Sequence, residues 1–301
     1  MDIITDIHEL TPVEIMSDMM FKRGDAYRPF DDLPLNGDKL RQCYALLQKH
    51  KQHIEEDCDG QVWTAGGMHS PQGIIVTKVA RELGFDPTIF YGASKAETAL
   101  SQDFVRHILN NGGSVNLGAR VAFDSAINAY IKKQDARYFN IGFGMNLDGD
   151  TSLYDIISDQ CENLPRELDT LVVPVGSGIV AGGILRGVKR YGIKVNRIVL
   201  VQIAGHDRRK TIQKICDEVP YEWYESHDYP YTKHVWYQLD DDEYLDPVYE
   251  GKAYDYVARY LPECINQDSL FYIAGNTTAI RQTPAPVQEY EMDGDTIQLC
   301  K

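Results

Sequence analysis

An apolar run followed by a glycine-rich turn is the segment whose residue types most clearly predict chemistry. Leu171–Val175 is apolar throughout, and Gly176–Gly178 leads from it into a helical segment that reaches Tyr191. Glycine lets a backbone approach a ligand closely, and a helix N-terminus offers free N–H groups and a positive dipole end to an anion. The sequence therefore predicts a phosphate-binding loop. Its predicted residues are Gly176, Ser177, Gly178, Ile179, Val180, Ala181 and Gly182.

The same glycines could belong to a nucleotide site, but their surroundings argue against one. Gly176–Ala181 fits the dinucleotide pattern G-x-G-x-x-A, which also needs an acidic residue about 20 positions later, at the end of the next strand. That strand ends in Val201–Ala204, which contains no acid, and Asp207 comes too late. No Gly-Lys-Ser/Thr follows the glycines, which excludes a P-loop. A nucleotide is therefore disfavoured, and another phosphate is expected.

The elements that must position this loop alternate between strand-like and helix-like segments. This alternation predicts an α/β fold of two lobes, with mostly parallel, twisted sheets and helices on both faces. A second strand–turn–helix unit covers residues 61–83, so a cofactor in a cleft between two lobes would meet one glycine turn from each. The domain prediction is a large cofactor-binding domain of residues 1–60 and 151–301, with a small domain of residues 61–150.

Two stretches give weaker signals. Residues 221–246 are rich in aromatic and acidic residues without a clean period, which favours a long loop region. The last twenty residues are polar and contain proline, and we expect a loosely packed tail there.

Composition restricts the classes of function. The 301 residues are 43% hydrophobic and 25% charged, as in soluble globular proteins. No apolar run is long enough to span a bilayer and no signal-peptide pattern is found, so we expect a cytoplasmic protein without membrane contact. Six scattered cysteines without metal-ligand spacing indicate reduced thiols and no metal site. A net charge of −15 argues against broad contact with nucleic acid.

Six segments, in order along nearly the whole chain, resemble motifs of the fold-type II pyridoxal-phosphate enzymes (the tryptophan synthase beta-like superfamily). The similarity is greatest to the aminocyclopropane-carboxylate deaminase and D-cysteine desulfhydrase group. For example, Leu35–Arg41 resembles that group's G-N-K-x-R-K segment. The segments are Phe21–Asp25, Leu35–Arg41, Gly66–Gln72, Leu171–Gly183, Leu245–Lys252 and Ser269–Gly275.

The resemblance implies the cofactor pyridoxal 5′-phosphate and roles for particular residues. Lys39 would hold the cofactor as a Schiff base and later move protons, with Lys22 as the less favoured lysine. Ser70 would act on the cofactor face, although a serine before a helix is also a good capping residue. Gln72 would bind near the substrate carboxylate or the cofactor ring, and Tyr249 would lie near the substrate.

Several residues depart from the family pattern inside the predicted site. Pro71 replaces an asparagine that commonly touches the cofactor's 3′-oxygen, and a proline nitrogen donates no hydrogen bond. His69 replaces a glutamine, and Asp38 replaces the asparagine before the lysine. The family's H-T-G-G is changed after Tyr272, so that Thr277 or Thr278 would have to contact the pyridine nitrogen. These changes predict a divergent member.

The resulting prediction is a pyridoxal-phosphate enzyme that performs a lyase step, by elimination, deamination or decarboxylation, on a small amino acid or amino-acid-like group. The resemblance also implies a homodimer. One alternative keeps the cofactor and makes the substrate an amino-acid group attached to thymine, as in bacteriophage DNA-base hypermodification, with nucleic acid as a partner. The other alternative is a non-catalytic binding protein that keeps the fold.

Overall fold

The computed structural model of the chain describes residues 3–92, 95–119, 124–147, 150–203, 205, 207–230, 232–240 and 243–300. The strands, in chain order, are β1 (Val13–Met16), β2 (Met19–Arg23), β3 (Gln61–Ala65), β4 (Asp86–Phe90), β5 (Ser114–Asn116), β6 (Phe139–Ile141), β7 (Glu167–Val175), β8 (Lys194–Gln202), β9 (Glu222–Glu225), β10 (Gln238–Asp240), β11 (Glu243–Tyr244), β12 (Leu270–Ile273), β13 (Tyr290–Asp293) and β14 (Thr296–Leu299). The helices are α1 (Asp38–Lys49), α2 (Lys51–Asp57), α3 (Gln72–Glu82), α4 (Ala96–Leu100), α5 (Asp103–Asn110), α6 (Asp124–Ile131), α7 (Ser152–Asp159), α8 (Ile179–Arg190), α9 (Arg209–Ile215), α10 (Glu250–Tyr260) and α11 (Thr278–Gln282).

Contacts divide the chain into two compact units. Unit 1 comprises residues 1–42 and 150–280, and unit 2 comprises residues 43–149 and 281–301. The chain crosses from unit 1 to unit 2 within α1, and crosses again within α11.

The sheet of unit 1 has the order β1-β2-β12-β7-β8-β9. β1 and β2 pair antiparallel, and the other neighbours pair in parallel. On β7, Val172 joins a buried cluster with Phe271 of β12 and Tyr254 of α10. Leu171 and Val173 point to the opposite face, since side chains alternate along a strand, and they are fully buried too. Both faces of β7 are covered, which explains its unbroken apolar sequence.

The sheet of unit 2 has the order β13-β14-β5-β4-β3-β6. β5, β4, β3 and β6 pair in parallel, as the predicted strand–helix alternation requires. Over this sheet, a core cluster contains Trp63, whose ring stacks on Tyr138 with centres 4.2 Å apart. The centre of the Phe90 ring lies 5.0 Å from that of Trp63.

The expected C-terminal tail is instead a hairpin that completes the sheet of unit 2. β13 and β14 join through Gly294, which has φ +57°, and β14 then pairs with β5. Ile297 is buried opposite Val115, so one apolar residue in a polar stretch fixes the register. The turn is the two-residue loop Gly294-Asp295, and glycine followed by aspartate between two strands is a hairpin signal in the sequence.

The fold-class prediction is confirmed, because both units carry mostly parallel sheets flanked by helices. The prediction of a long loop over 221–246 was wrong in part. β9 extends the sheet of unit 1 alongside β8, and β10 pairs with β11. β9 has side chains that are only half-buried, as expected of an edge strand, so it lacks a clear apolar period. No helix in the described ranges is long and apolar enough to cross a bilayer.

Candidate active site

The glycine turn of unit 1 is built as the sequence predicts. β7 ends at Val175 and α8 begins at Ile179, with Gly178 between them at φ +88°, a conformation that favours glycine. A Cβ atom on Gly176 would lie 2.8 Å from Cε1 of Tyr249, so only glycine fits beneath this ring. Ser177 is buried, and its hydroxyl lies 3.5 Å from the nitrogen of Ile179 as a weak acceptor. The turn is therefore small and narrow, and it leads straight into the N-terminus of α8.

Only some of the seven predicted loop residues have a backbone N–H group available to bind a phosphate. The first N–H groups of α8, on Ile179, Val180 and Ala181, precede its regular hydrogen bonds. Gly182 already donates its N–H to the carbonyl of Gly178, and a Cβ there would meet Ile215 of α9 at 2.7 Å. The structure thus places Gly182 where α8 packs against α9.

Lys39 lies in the first turn of α1, on a bend that is fastened to the end of β12. The N–H of Asp38 donates to the carbonyl of Ala274 at 2.7 Å, and the N–H of Asn276 donates to Oδ1 of Asn36 at 2.7 Å. Gly37 has φ +92°, and a Cβ on it would lie 2.5 Å from the Ala274 oxygen. Asn36 and Gly37 are therefore required by this close approach, which holds the lysine at the carboxyl end of a buried strand.

Burial and two acidic residues affect the pKa of the Lys39 amine. Burial lowers the pKa of the half-buried Lys39 side chain, while Glu250 and then Asp246 act to raise it. Its Nζ atom lies 5.8 Å from the centre of the Tyr249 ring. A lower pKa increases the fraction of neutral amine, which is the nucleophilic form.

Glu250 and Asp246 are site residues that sequence reasoning did not single out, although both lie in the quoted segment Leu245–Lys252. Glu250 is 3% exposed and accepts a hydrogen bond from the N–H of Ala274 at 3.1 Å. Burial, with Asp246 adding to it, raises the pKa of Glu250 well above its usual range. A run of acidic and aromatic residues gave no sign in the sequence that one acid would be buried.

Asp246 ties the start of α10 to the segment after β12. Its Oδ1 accepts from the N–H groups of Val248 and Tyr249, at 2.8 and 2.9 Å. Its Oδ2 accepts from both the N–H and the hydroxyl of Thr277. The hydroxyl proton of Thr277 is therefore engaged with Asp246, whereas the buried hydroxyl of Thr278 has no hydrogen-bond partner among the described residues.

In unit 2, the predicted residues Ser70 and Gln72 lie at the start of α3. The hydroxyl of Ser70 accepts from the N–H of Gln72 at 3.3 Å, although the N-cap residue of α3 is Pro71. Gln72 is buried, and its Oε1 accepts from the N–H of Gly144 at 2.8 Å. Its Nε2 donates to Thr64 Oγ1 at 2.9 Å and to the Gly142 carbonyl at 3.1 Å. The Gln72 amide therefore makes its hydrogen bonds with residues inside unit 2, and its expected contact with a ligand stays a prediction.

The groups of unit 1 fit pyridoxal phosphate. An aldehyde needs an amine of lowered pKa, which Lys39 supplies. A phosphate needs a narrow backbone cradle at a helix N-terminus, and Gly176 with α8 forms one. A pyridine nitrogen needs a polar partner, and Glu250 is a buried carboxyl group near the same lysine. In the described ranges, no cluster of His, Cys, Asp and Glu is arranged to bind a metal ion.

Comparison with known proteins gives one curated relative and many similar structures. The chain matches no family model. The O-seryl-dTMP PLP-dependent decarboxylase of Salmonella phage ViI is 23% identical over 95% of this chain and 86% of its own length. An ACC deaminase homologue has a TM-score of 0.66 at 20% identity, covering 91% of both chains. Threonine deaminase isoform 2 of Solanum lycopersicum, in its processed form, has a TM-score of 0.58 at 14% identity, covering 88% of this chain and 78% of its own. The resemblance to fold-type II pyridoxal-phosphate enzymes is thereby confirmed at the level of the fold.

Proposed function

We propose that this chain is a pyridoxal-phosphate-dependent lyase that acts on the amine of an amino acid or amino-acid-like group. The observation that carries the proposal is the chain of contacts in unit 1 from Lys39 to Tyr249 and from Tyr249 to Gly176. Lys39, which would hold the aldehyde, and Gly176, which would form part of the phosphate cradle, both lie near the Tyr249 ring. The fold and the curated relative support the same enzyme class.

Particular residues of this chain would bind the cofactor and move protons. When bound, the cofactor would supply an electron sink for the bond that breaks at the substrate's α-carbon. Lys39 Nζ would bind the aldehyde and then carry a proton to and from the substrate. The turn from Gly176 to Gly178, with the first N–H groups of α8, would hold the phosphate. Tyr249 would cover the cradle and orient the substrate.

We propose Glu250 as the partner of the pyridine nitrogen, in place of Thr277. The hydroxyl proton of Thr277 is donated to Asp246, whereas Glu250 is a buried carboxyl group whose raised pKa keeps a proton available. A proton held at this atom would strengthen the pull on electrons at the ring nitrogen. Ser70, at the start of α3 in unit 2, would assist proton transfer on the substrate side, with Gln72 holding its turn in place.

A second candidate substrate is an amino-acid group attached to a nucleotide. The name of the curated relative favours it, since that protein is a decarboxylase of O-seryl-dTMP and matches 95% of this chain. The two candidates differ in whether the amino acid is free or attached to a nucleotide. Activity assays with one panel that contains both kinds of substrate distinguish them. The third possibility, a binding protein without catalysis, is disfavoured because Lys39 and Gly176–Gly178 are both in place.

The proposal also covers the location, the oligomeric state and the partners of the enzyme. We propose a cytoplasmic homodimer of amino-acid metabolism whose main partner is a small amino-acid-like substrate, with nucleic acid as a partner only under the second candidate. All six cysteines are unpaired, as expected in a reducing compartment. Size-exclusion chromatography with light scattering tests the homodimer.

The test of the cofactor is the visible absorption spectrum of the purified protein with added pyridoxal phosphate. We expect a band from the bound cofactor in the wild type and in a surface control, Lys189→Ala, but not in Lys39→Ala. Borohydride reduction followed by peptide mass spectrometry should find the cofactor on Lys39. Lys22 is the internal comparison, because its ammonium already donates to the Thr11 carbonyl and to Asn163. Absence of the band in all three proteins would refute the proposed function.

A further inference from the structure

A cysteine, a histidine and an aspartate lie within hydrogen-bond reach of one another at the end of α2 in unit 2. The Sγ atom of Cys58 lies 3.7 Å from Nε2 of His53, and Nδ1 of His53 lies 2.8 Å from Oδ2 of Asp57. A nucleophile beside a base, with a third group that orients the base, is the arrangement that activates a weak nucleophile. These three residues are separate from those that would bind pyridoxal phosphate.

The imidazole of His53 is oriented as a base for the thiol. An ionised carboxylate only accepts hydrogen bonds, so Nδ1 carries the proton that is donated to Asp57, and in the neutral ring Nε2 is left as an acceptor. The ring also packs edge-on against Phe139 of β6, with ring centres 6.1 Å apart. Nε2 of His53 can therefore accept the Sγ proton of Cys58.

The end of α2 sets the position of the thiol. Asp57 lies four residues after His53 on the same face of the helix, and Cys58 is the C-cap residue that follows. The N–H of Gln61 donates to the carbonyl of Cys58 at 2.8 Å, which holds the backbone in place. Cys58 is only 4% exposed, but His53 and Asp57 are exposed, so the thiol lies just beneath the surface.

The thiol of Cys58 needs such a base in order to react near neutral pH. Burial raises the pKa of Cys58, Asp57 adds to the shift and Arg137 opposes it. A thiol of raised pKa holds little thiolate, which is the nucleophilic form, unless a neighbouring group takes its proton during the attack. A different environment surrounds Cys161 of unit 1, whose thiol donates to carbonyl groups of α7 and α8, as a structural cysteine does.

The surroundings of the thiol restrict its reaction partner. The acidic residues 55–57 precede Cys58 and Asp59 follows it, all of them exposed, although Arg137 pairs with Asp59. Negative charge repels an anionic reagent and attracts a cationic one. Because Cys58 is nearly buried, the partner must also be small.

We propose that Cys58, His53 and Asp57 form a modification site at which Cys58 undergoes thiol–disulfide exchange with a small, non-anionic disulfide. His53 Nε2 takes the proton from Sγ as Sγ attacks one sulfur atom of the disulfide. The S–S bond of the reagent breaks and a new S–S bond to Cys58 forms. The leaving thiolate takes the proton from His53 and departs as a thiol, and attack by a second thiol reverses the exchange. This inference goes beyond the proposed function and does not depend on it.

The exchange rates of individual cysteines in the purified full chain, read by peptide mass spectrometry after acid quenching, test this directly. Cystamine is the probe, and Cys216 is the matched control, because it is 7% exposed and burial raises its pKa as well. We expect Cys58 to react at least about tenfold faster than Cys216 near neutral pH. His53→Gln should remove this advantage, and an unchanged rate at Cys216 shows that the variant is folded.

The pH dependence separates assistance by the base from simple access to the thiol. In His53→Gln the rate at Cys58 should rise about tenfold per pH unit, in step with the thiolate fraction. The wild-type rate should rise less steeply, because His53 takes the proton during the attack, and Asp57→Asn should lie between the two.

Two results would overturn the inference: a Cys58 that reacts no faster than Cys216, or an advantage of Cys58 that persists in His53→Gln. Oxidised glutathione, which is anionic, should give a smaller advantage than cystamine. An equal or larger advantage with oxidised glutathione would overturn the choice of a non-anionic ligand.

Discussion

The Nζ atom of Lys39 lies 5.8 Å from the centre of the Tyr249 ring, and the edge of the same ring fills the space where a side chain at Gly176 would lie. Tyr249 therefore links the two halves of the proposed cofactor site within unit 1. Its backbone N–H is held by Asp246, so the ring has a fixed base from which to cover the cradle.

Replacing Gly176 with alanine should disturb this ring. The new methyl group would lie 2.8 Å from Tyr249 Cε1, and overpacking of this kind destabilises proteins by about 1–3 kcal/mol. We expect the affinity for pyridoxal phosphate, measured by spectral titration, to fall about tenfold or more. In a Tyr249→Ala background most of the stability penalty should disappear, because the clash is removed. Equal penalties in both backgrounds, measured by urea unfolding, would contradict the contact.

Glu250→Gln should lower the pKa of Lys39. The Glu250 carboxylate acts to raise that pKa, and glutamine carries no charge. Because burial raises the pKa of Glu250 itself, its carboxylate forms at a higher pH than that of an ordinary glutamate. The two proteins should behave alike at pH values where Glu250 is protonated. Where Glu250 is ionised in the wild type, the variant should reach its maximum rate of pyridoxal capture at a lower pH than the wild type.

The measurement is the rate of pyridoxal capture against pH, with Glu222→Gln as the matched control. Glu222 pairs with Arg197 and Tyr224 at the edge of unit 1. Identical pH profiles for wild type and Glu250→Gln would show that Glu250 does not influence the lysine.

Asp38→Asn should change how the stability depends on pH. Burial raises the pKa of Asp38 from 3.8 to about 6, although Arg41 and Lys22 oppose the shift. The folded protein thus keeps a proton that the unfolded chain releases, and the stability from this group is present below pH 3.8 and lost as the pH rises through 6. Asparagine does not titrate, so Asp38→Asn has no such pH-dependent loss. Between pH 3.8 and 6 its free energy of unfolding relative to wild type should rise by about 3 kcal/mol at most.

Urea unfolding at pH 4 to 7 checks this difference, with Asp31→Asn, at an exposed aspartate, as the control. A difference between Asp38→Asn and wild type that does not change with pH would show that Asp38 is ionised in the folded protein throughout.

Gln72→Leu should loosen the Gly142–Asn146 segment. The variant leaves the N–H of Gly144 without its acceptor and removes the donor to the Gly142 carbonyl, at a cost of about 1–3 kcal/mol. Hydrogen exchange at Gly144 should become faster while exchange in β7 of unit 1 is unchanged. The control, Gln102→Leu, removes a half-buried amide of the same unit whose Nε2 donates to the Ser101 hydroxyl at 3.0 Å. Slow exchange at Gly144 in Gln72→Leu would mean that the backbone alone holds the loop.

Local patterns predicted local structure well. The run into Gly176–Gly178 and the helix after it depend on neighbours in sequence, and the structure has them where expected. The turn before Lys39 was also visible, because Asn36-Gly37 has the residue types that a positive φ requires. The contact of that turn with Ala274, about 240 positions later in the chain, was not visible, since no local pattern encodes a pairing at that distance.

The residues that sequence reasoning missed or assigned differently are those whose environment is set by distant segments. Glu250 is buried because the end of β12 covers it, and Gln72 faces inward because Gly144 offers it a donor. The C-terminal hairpin was not predicted because a single buried side chain, Ile297, fixes it to β5. In each case the sequence shows whether the residue is polar or apolar, but not which distant residue it contacts.

The fastening of the Asn36–Asp38 bend to Ala274 and Asn276 also sets an order of events during protein synthesis. The lysine emerges from the ribosome early, but the strand end that shapes its turn follows some 240 residues later. A nascent chain halted before Ala274 would display Lys39 on an unsupported segment. Under the proposed function, Lys39 would therefore be set to hold the cofactor only after Ala274 and Asn276 have been translated, and cofactor loading would follow the synthesis of that segment.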